Sequence, residues 1–172
     1  MAQFKLIFDE CLGEPVVEAL RPFLEKSGVK LVAMSVVSYQ RAGVKDIEWI
    51  PKIAKEGGWV VLSADRGKRN RVGELPHEKL PFLCRTHRVT HVLLSGSLQS
   101  SKTFIKGQAL VAVWREILTA ATAPAGTRFV LTKRSGGTGY SLVNADTKAI
   151  VIPPTIPDDP DPFKDPTDRA RP

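Results

Sequence analysis

The sequence is poor in the residues that build zinc and redox centres. Only Cys11 and Cys84 are cysteine among 172 residues. They stand far apart, outside any Cys-x-x-Cys or Cys/His spacing, which argues against a structural zinc site and against a disulfide framework. The three histidines, His77, His87 and His91, are too scattered for a metal triad or a general base and read as ordinary surface or boundary residues. Long hydrophobic runs are missing too: no stretch of ~18 apolar residues occurs, and the opening Met-Ala-Gln-Phe-Lys enters an apolar run too short for a signal peptide. No repeats occur. These absences lead to the expectation of a soluble, cytoplasmic protein that does not enter a membrane.

What is present is basic charge, unevenly placed. The formal net charge is +7, yet residues 153–172 carry five aspartates against Lys164, Arg169 and Arg171, so the remainder carries +9. A basic body favours anionic partners, with nucleic acid the commonest. The Pro-rich, acidic segment has too few apolar residues to build a core and is expected to be an extended tail. Residues 1–152 have the size of one domain, able to bury roughly two-thirds of its unfolded surface.

Along that domain apolar strands alternate with helical patterns. Phe4 to Phe8, Val29 to Met34, Trp59 to Ser63 and Val89 to Ser95 read as buried strands. Helices are expected from Glu14 to Lys26, from Asp46 to a stop at Gly57, over Leu75 to His87, and as one long helix capped by Ser100 or Ser101 with Leu110, Val113, Trp114, Ile117 and Leu118 on one stripe. Strands at Arg128 to Thr132, Tyr140 to Val143 and Ala149 to Ile152 close the domain, joined by a glycine-rich turn. Such alternation specifies an α/β fold: a central, mostly parallel twisted sheet with helices on both faces, here with a C-terminal β-hairpin.

The chemistry gathers at strand ends. Asp9 and Asp65 follow the first and third strands, so they converge over one sheet edge if those strands are neighbours. Asp46 opens a helix that approaches the same edge. Two carboxylates ~5 Å apart repel by about 3 kcal/mol at an effective dielectric near 20. A cluster of them therefore calls for a proton or a divalent cation with oxygen ligands, such as Mg²⁺ or Mn²⁺. Taken singly, Asp46 reads as the N-cap of its helix, and Asp9 and Asp65 as loop acids. Glu10 is a weaker ligand than Asp9, because neighbouring residues at a strand end point in opposite directions. The cations Arg66, Lys68, Arg69 and Arg71 follow directly and suit a phosphate backbone.

Phe-Asp-Glu-Cys-Leu at residues 8–12, the helix opened by Asp46 with its Ala-Lys-Glu-Gly ending, and Val-Val-Leu-Ser-Ala-Asp-Arg-Gly at residues 60–67 together resemble the PIN-like nucleases. The likeness is nearest to the subgroup that includes the VapC-type ribonuclease toxins of bacterial toxin–antitoxin modules. It covers roughly residues 4 to 70, with the order of elements continuing it to about residue 120. It implies a three-layer PIN-like fold and a Mg²⁺- or Mn²⁺-dependent ribonuclease acting on single-stranded RNA. Asp9, Asp46 and Asp65 would be catalytic metal ligands and Glu10 an auxiliary acid. An antitoxin protein would be the partner, and a homodimer is compatible with it. The sequence departs from the family at Gly67, where many members carry a second acid. A non-catalytic PIN-like module that binds RNA or protein is therefore the principal alternative.

Two further readings compete. Gly96 to Thr103 nearly matches a phosphate-binding loop, but Ser101 replaces the second glycine, so nucleotide hydrolysis is disfavoured and Lys102 is left as an RNA-phosphate contact. A receiver-type phospho-switch would use Asp9 and Glu10, Asp65 and Lys133, and leaves Asp46 without a role.

Overall fold

The computed structural model describes residues 4–26, 30–65, 75–134 and 138–153. Six strands form one sheet: β1 Phe4–Phe8, β2 Leu31–Ser35, β3 Trp59–Ser63, β4 Thr90–Leu94, β5 Arg128–Lys133 and β6 Tyr140–Asn144. Their order is β2-β1-β3-β4-β5-β6, parallel throughout except that β6 pairs antiparallel with β5. β3 and β4 are buried along their whole length. Strands covered on both faces read as continuous apolar runs, which is why Trp-Val-Val-Leu was legible as a strand.

Helices cover both faces. α1 (Gly13–Lys26), α6 (Thr103–Ala112) and α7 (Trp114–Ala121) enclose one core with Leu6, Phe8, Leu62, Val92 and Leu131. On the opposite face α3 (Asp46–Glu56) and α4 (Leu80–Thr86), with Val36 of the one-turn α2 (Val36–Tyr39), pack over Ile7, Trp59 and Val61. The alternation of side chains along β1 and β3 divides the two cores, since Leu6 and Phe8 face one and Ile7 the other. The expected three-layer α/β fold, with its C-terminal hairpin, is the architecture found.

Several local expectations require correction. The long helix is two, because it breaks at Val113 (φ −115°, ψ 24°). β-branched Val111 and Val113 weaken the helix there, and the turn lets Val113, Trp114 and Ile117 all reach the core. Lys102, not a serine, occupies the N-cap position, and Ser100 and Ser101 instead donate to the carbonyls of Gly96 and Ser97 in and beside the short α5 (Gly96–Gln99). Leu75 to His87 divides into a 3-10 turn, Pro76–Glu78, and α4, with Lys79 extended between them. Pro81 lacks the N–H that would continue the turn into the helix. Ala149 to Ile152 contributes a single bridge, Val143 to Ile150, rather than a strand. His91 is buried, not a boundary residue. The tail beyond Pro153 lies outside the described residues.

Candidate active site

The sheet reverses direction at the β1/β3 boundary: from β1 the chain crosses to β2 on one side, then returns past β1 to β3 on the other. The carboxyl ends of the strands at such a switch point leave a crevice between diverging connections. Asp9 and Asp65 stand one and two residues beyond β1 and β3, at this crevice. Asp9 N donates to Leu62 O at 3.0 Å, which ties the end of β1 to β3.

Asp9 is 8% exposed. Its Oδ1 accepts from Glu10 N and its Oδ2 from Cys11 Sγ, both at 2.8 Å. Burial pushes its carboxyl above the usual range. The two hydrogen bonds oppose that rise, and the negative charges of Asp65 and Glu10 add to it. A buried carboxylate raised by its acidic neighbours is the electrostatic condition that a bound cation relieves.

The thiol beside it joins the two strand ends. Cys11 Sγ donates to Asp9 and also accepts from Ala64 N at 3.0 Å. Burial and then the Asp9 charge raise the thiol, so it is held as S–H. Cys11 has no metal-ligand spacing, so this contact is not legible from its neighbours in sequence. Its position two residues after Asp9 is the one signal that could have found it.

Asp65 is set by a turn. Its N–H donates to Ser63 Oγ at 3.1 Å, and that hydroxyl lies 3.3 Å from Asp65 O. Asp46 occupies the first turn of α3, with Lys45 at the N-cap position, so the capping reading of Asp46 does not hold. Its Oδ1 instead accepts from Nε1 of the fully buried Trp49 at 3.1 Å. The charges of Asp46 and Asp9 both contribute to raising the Cys84 thiol, behind burial. Glu10 turns away, as expected of a neighbour of Asp9, and its Oε1 accepts from Gly43 N at 2.6 Å.

The structure therefore brings Asp9 and Asp65 into electrostatic contact and leaves Asp46 engaged with the α3 core. Among the described residues, no group of three His, Cys, Asp or Glu side chains is spaced to share one metal ion. Two carboxylates nevertheless fit a hydrated cation, because Mg²⁺ commonly keeps several waters and takes one or two carboxylates with substrate oxygens. Each Asp9 oxygen accepts one hydrogen bond and retains a second lone pair. Arg66, Lys68, Arg69, Arg71 and Gly67 lie outside the described residues. Lys102 stands at the start of α6, on the chain leaving the carboxyl end of β4, followed by Phe104, which is 77% exposed. The exposure of Phe104 is not legible in the sequence, where this aromatic resembles one more core residue.

Residues 4–84, a span that holds all three aspartates, match the family model described as PIN like domain. The match spans just under half of the chain, and the three-layer α/β architecture is consistent with a PIN-like fold. No curated protein and no solved structure matches the chain. A PIN-like domain suggests nuclease-type chemistry. No helix among the described residues is long and apolar enough to cross a membrane.

Proposed function

We propose that the protein is a Mg²⁺- or Mn²⁺-dependent endoribonuclease of single-stranded RNA. The observation that carries this reading is the buried Asp9 carboxylate, raised in part by Asp65, at the β1/β3 switch point of a PIN-like sheet. Asp9 and Asp65 would hold the cation, with Asp46 adding negative charge at the same edge and Glu10 an auxiliary acid. When bound, such an ion activates water and stabilises charge on the phosphodiester in an in-line displacement. The chain's own residues do the rest. Cys11 fixes Asp9 against the end of β3, and the Ser63 hydroxyl orients the Asp65 turn. Lys102 and the cations Arg66, Lys68, Arg69 and Arg71 would meet the RNA phosphates. Phe104 offers a face on which an unpaired base can stack, a contact that single strands allow and duplexes deny.

The test is cleavage of a single-stranded RNA in Mn²⁺ by the wild type and by Asp65→Asn. Loss of cleavage in a variant that stays folded is expected, and unchanged cleavage would remove Asp65 from the mechanism. The finer reading is a toxin inhibited by an antitoxin, supported by the domain size and the basic body. Growth arrest on expression, relieved by Asp65→Asn, would support it.

A receiver-type phospho-switch is favoured by one observation: Lys133 ends β5 at the carboxyl edge of the sheet that carries Asp65. It alone predicts an acid-labile phosphoaspartate after treatment with a small phosphodonor.

A further inference from the structure

A second hollow lies on the α3/α4 face of the sheet, toward the opposite end of the strands from Asp9. Its enclosed part holds about 20 Å³ and it widens into an open mouth, about 310 Å³ with solvent counted, and its lining includes Arg85, His91, Gly126, Arg128 and Asp146. His91 is 1% exposed and pairs in register with Val61 and Arg128 across β3, β4 and β5. Its Nε2 lies 3.3 Å from Ser63 Oγ, while its Nδ1 is buried with no hydrogen-bond partner. A buried ring nitrogen left unsatisfied is costly, so a group that completes it is favoured there.

The charges around the hollow define that group. Arg85 and Arg128 supply two guanidinium ions, and neither forms an ion pair with a carboxylate among the described residues. Asp146 on the same lining supplies one opposing charge, leaving a net positive rim. Guanidinium forks match tetrahedral oxyanions through paired N–H donors. The hydrogen bonds of Ser63 set the remaining requirement. Its hydroxyl accepts from Asp65 N–H and has a single proton to give, to Asp65 O or to His91 Nε2. In the first case His91 donates from Nε2 and presents a bare Nδ1 acceptor; in the second it presents Nδ1–H. Hydrogen phosphate satisfies both, since it carries acceptor oxygens and a P–OH donor.

We propose that this hollow is a binding site for inorganic phosphate, and that the His91–Ser63 contact transmits its occupancy to the backbone of Asp65. The inference stands apart from the nuclease reading, because it rests on the hollow, the orphaned ring nitrogen and the two arginines. It also places a second anion-handling region on the same sheet face as the acidic edge, through one serine shared by both.

The experiment is a titration of the full chain, labelled with ¹⁵N, with inorganic phosphate at constant ionic strength set by chloride. The readouts are the His91 ring nitrogens and the Asp65 amide. A saturable shift is expected at His91 Nδ1, accompanied by a shift of the Asp65 amide. Arg85→Gln with Arg128→Gln should weaken the apparent affinity about tenfold or more, with Arg128→Lys restoring part of it. In Ser63→Ala the His91 shift should persist while the Asp65 shift disappears. A non-saturating response, or the same affinity in the double arginine variant, would overturn the site. Loss of the Asp65 response alone in the wild type would overturn the link.

Discussion

The two ends of the α3/α4 face carry opposite charge problems. At the carboxyl edge Asp9 is buried beside other acids, and burial first, then the charges of Asp65 and Glu10, raise its carboxyl against the two hydrogen bonds it accepts. Toward the other end His91 is buried beside Arg128, and burial first, then that positive charge, depresses the imidazole to about 3. The acid is held where it would welcome a cation; the base is kept neutral where an anion would be welcome. Neither group improves the fold by being ionised. Their difference shows that buried titratable groups on one sheet can be poised for ligands of opposite sign, and Ser63 touches both regions.

The largest effect that could break this comparison is Asp65→Asn, for which cleavage in Mn²⁺ is expected to fall by at least about 10²-fold, the scale on which one essential electrostatic group acts. Thermal unfolding with an unchanged transition would keep that loss catalytic rather than structural. Next is stability against pH at the histidine end. Since His91 titrates at 6.5 when unfolded and at about 3 when folded, its neutral form adds stability that is complete above 6.5 and is lost as pH falls toward 3. Urea midpoints measured across that window should drop for the wild type and drop less for His91→Gln. Arg85, Arg128, Asp146 and Cys84 share the hollow's lining with His91, so the Arg128→Gln variant should soften the same slope by removing one repulsive charge.

A smaller effect of opposite sign is expected from Asp9→Asn. With its folded carboxyl above 3.8, Asp9 favours the fold only when protonated, and that advantage is lost as pH rises through the folded value. Removing the charge should therefore raise the melting temperature at pH 7 while abolishing cleavage; a lowered melting temperature would mean that the bonds to Cys11 and Glu10 outweigh burial. Asp46→Asn isolates charge from packing, because the amide oxygen can still accept from Trp49 Nε1. Unchanged melting with reduced Mn²⁺-dependent cleavage would give Asp46 a role at the metal, whereas Asp46→Ala should cost about 1 kcal/mol through the lost bond. The smallest change is Phe104→Ala, expected to raise KM for single-stranded RNA severalfold with kcat preserved, since a stacked base is worth about 1–3 kcal/mol.

How far the sequence reached can be seen residue by residue. Phe4–Phe8, Trp59–Ser63 and α3 were legible because their apolar patterns and the glycine at 57, which ends α3 with φ 67°, are local signals. The approach of Asp9 to Asp65 followed once β1 and β3 were neighbours, a step of topology that the pattern made plausible without fixing. His91 was misjudged because its burial depends on register with Val61 and Arg128, which are 30 and 37 positions away. Taken alone, Asp46 reads as a cap because a helix start is a local signal, and its metal-ligand reading rests on the family resemblance; its bond to Trp49 depends on rotamers and is not legible in the sequence. The break at Val113 escaped because its apolar stripe is continuous in sequence, and only the competition of Val113, Trp114 and Ile117 for one core divides it.

The Cys11 thiol has a use as a reporter. While Sγ lies between Asp9 and Ala64 N, its raised pKa keeps it protonated and slow toward electrophiles. Cys11 is exposed, so an electrophile reaches it in the folded protein and its labelling rate follows the thiolate fraction that Asp9 holds down. A divalent ion that neutralises Asp9 should quicken labelling, which gives a measure of metal engagement that needs no RNA.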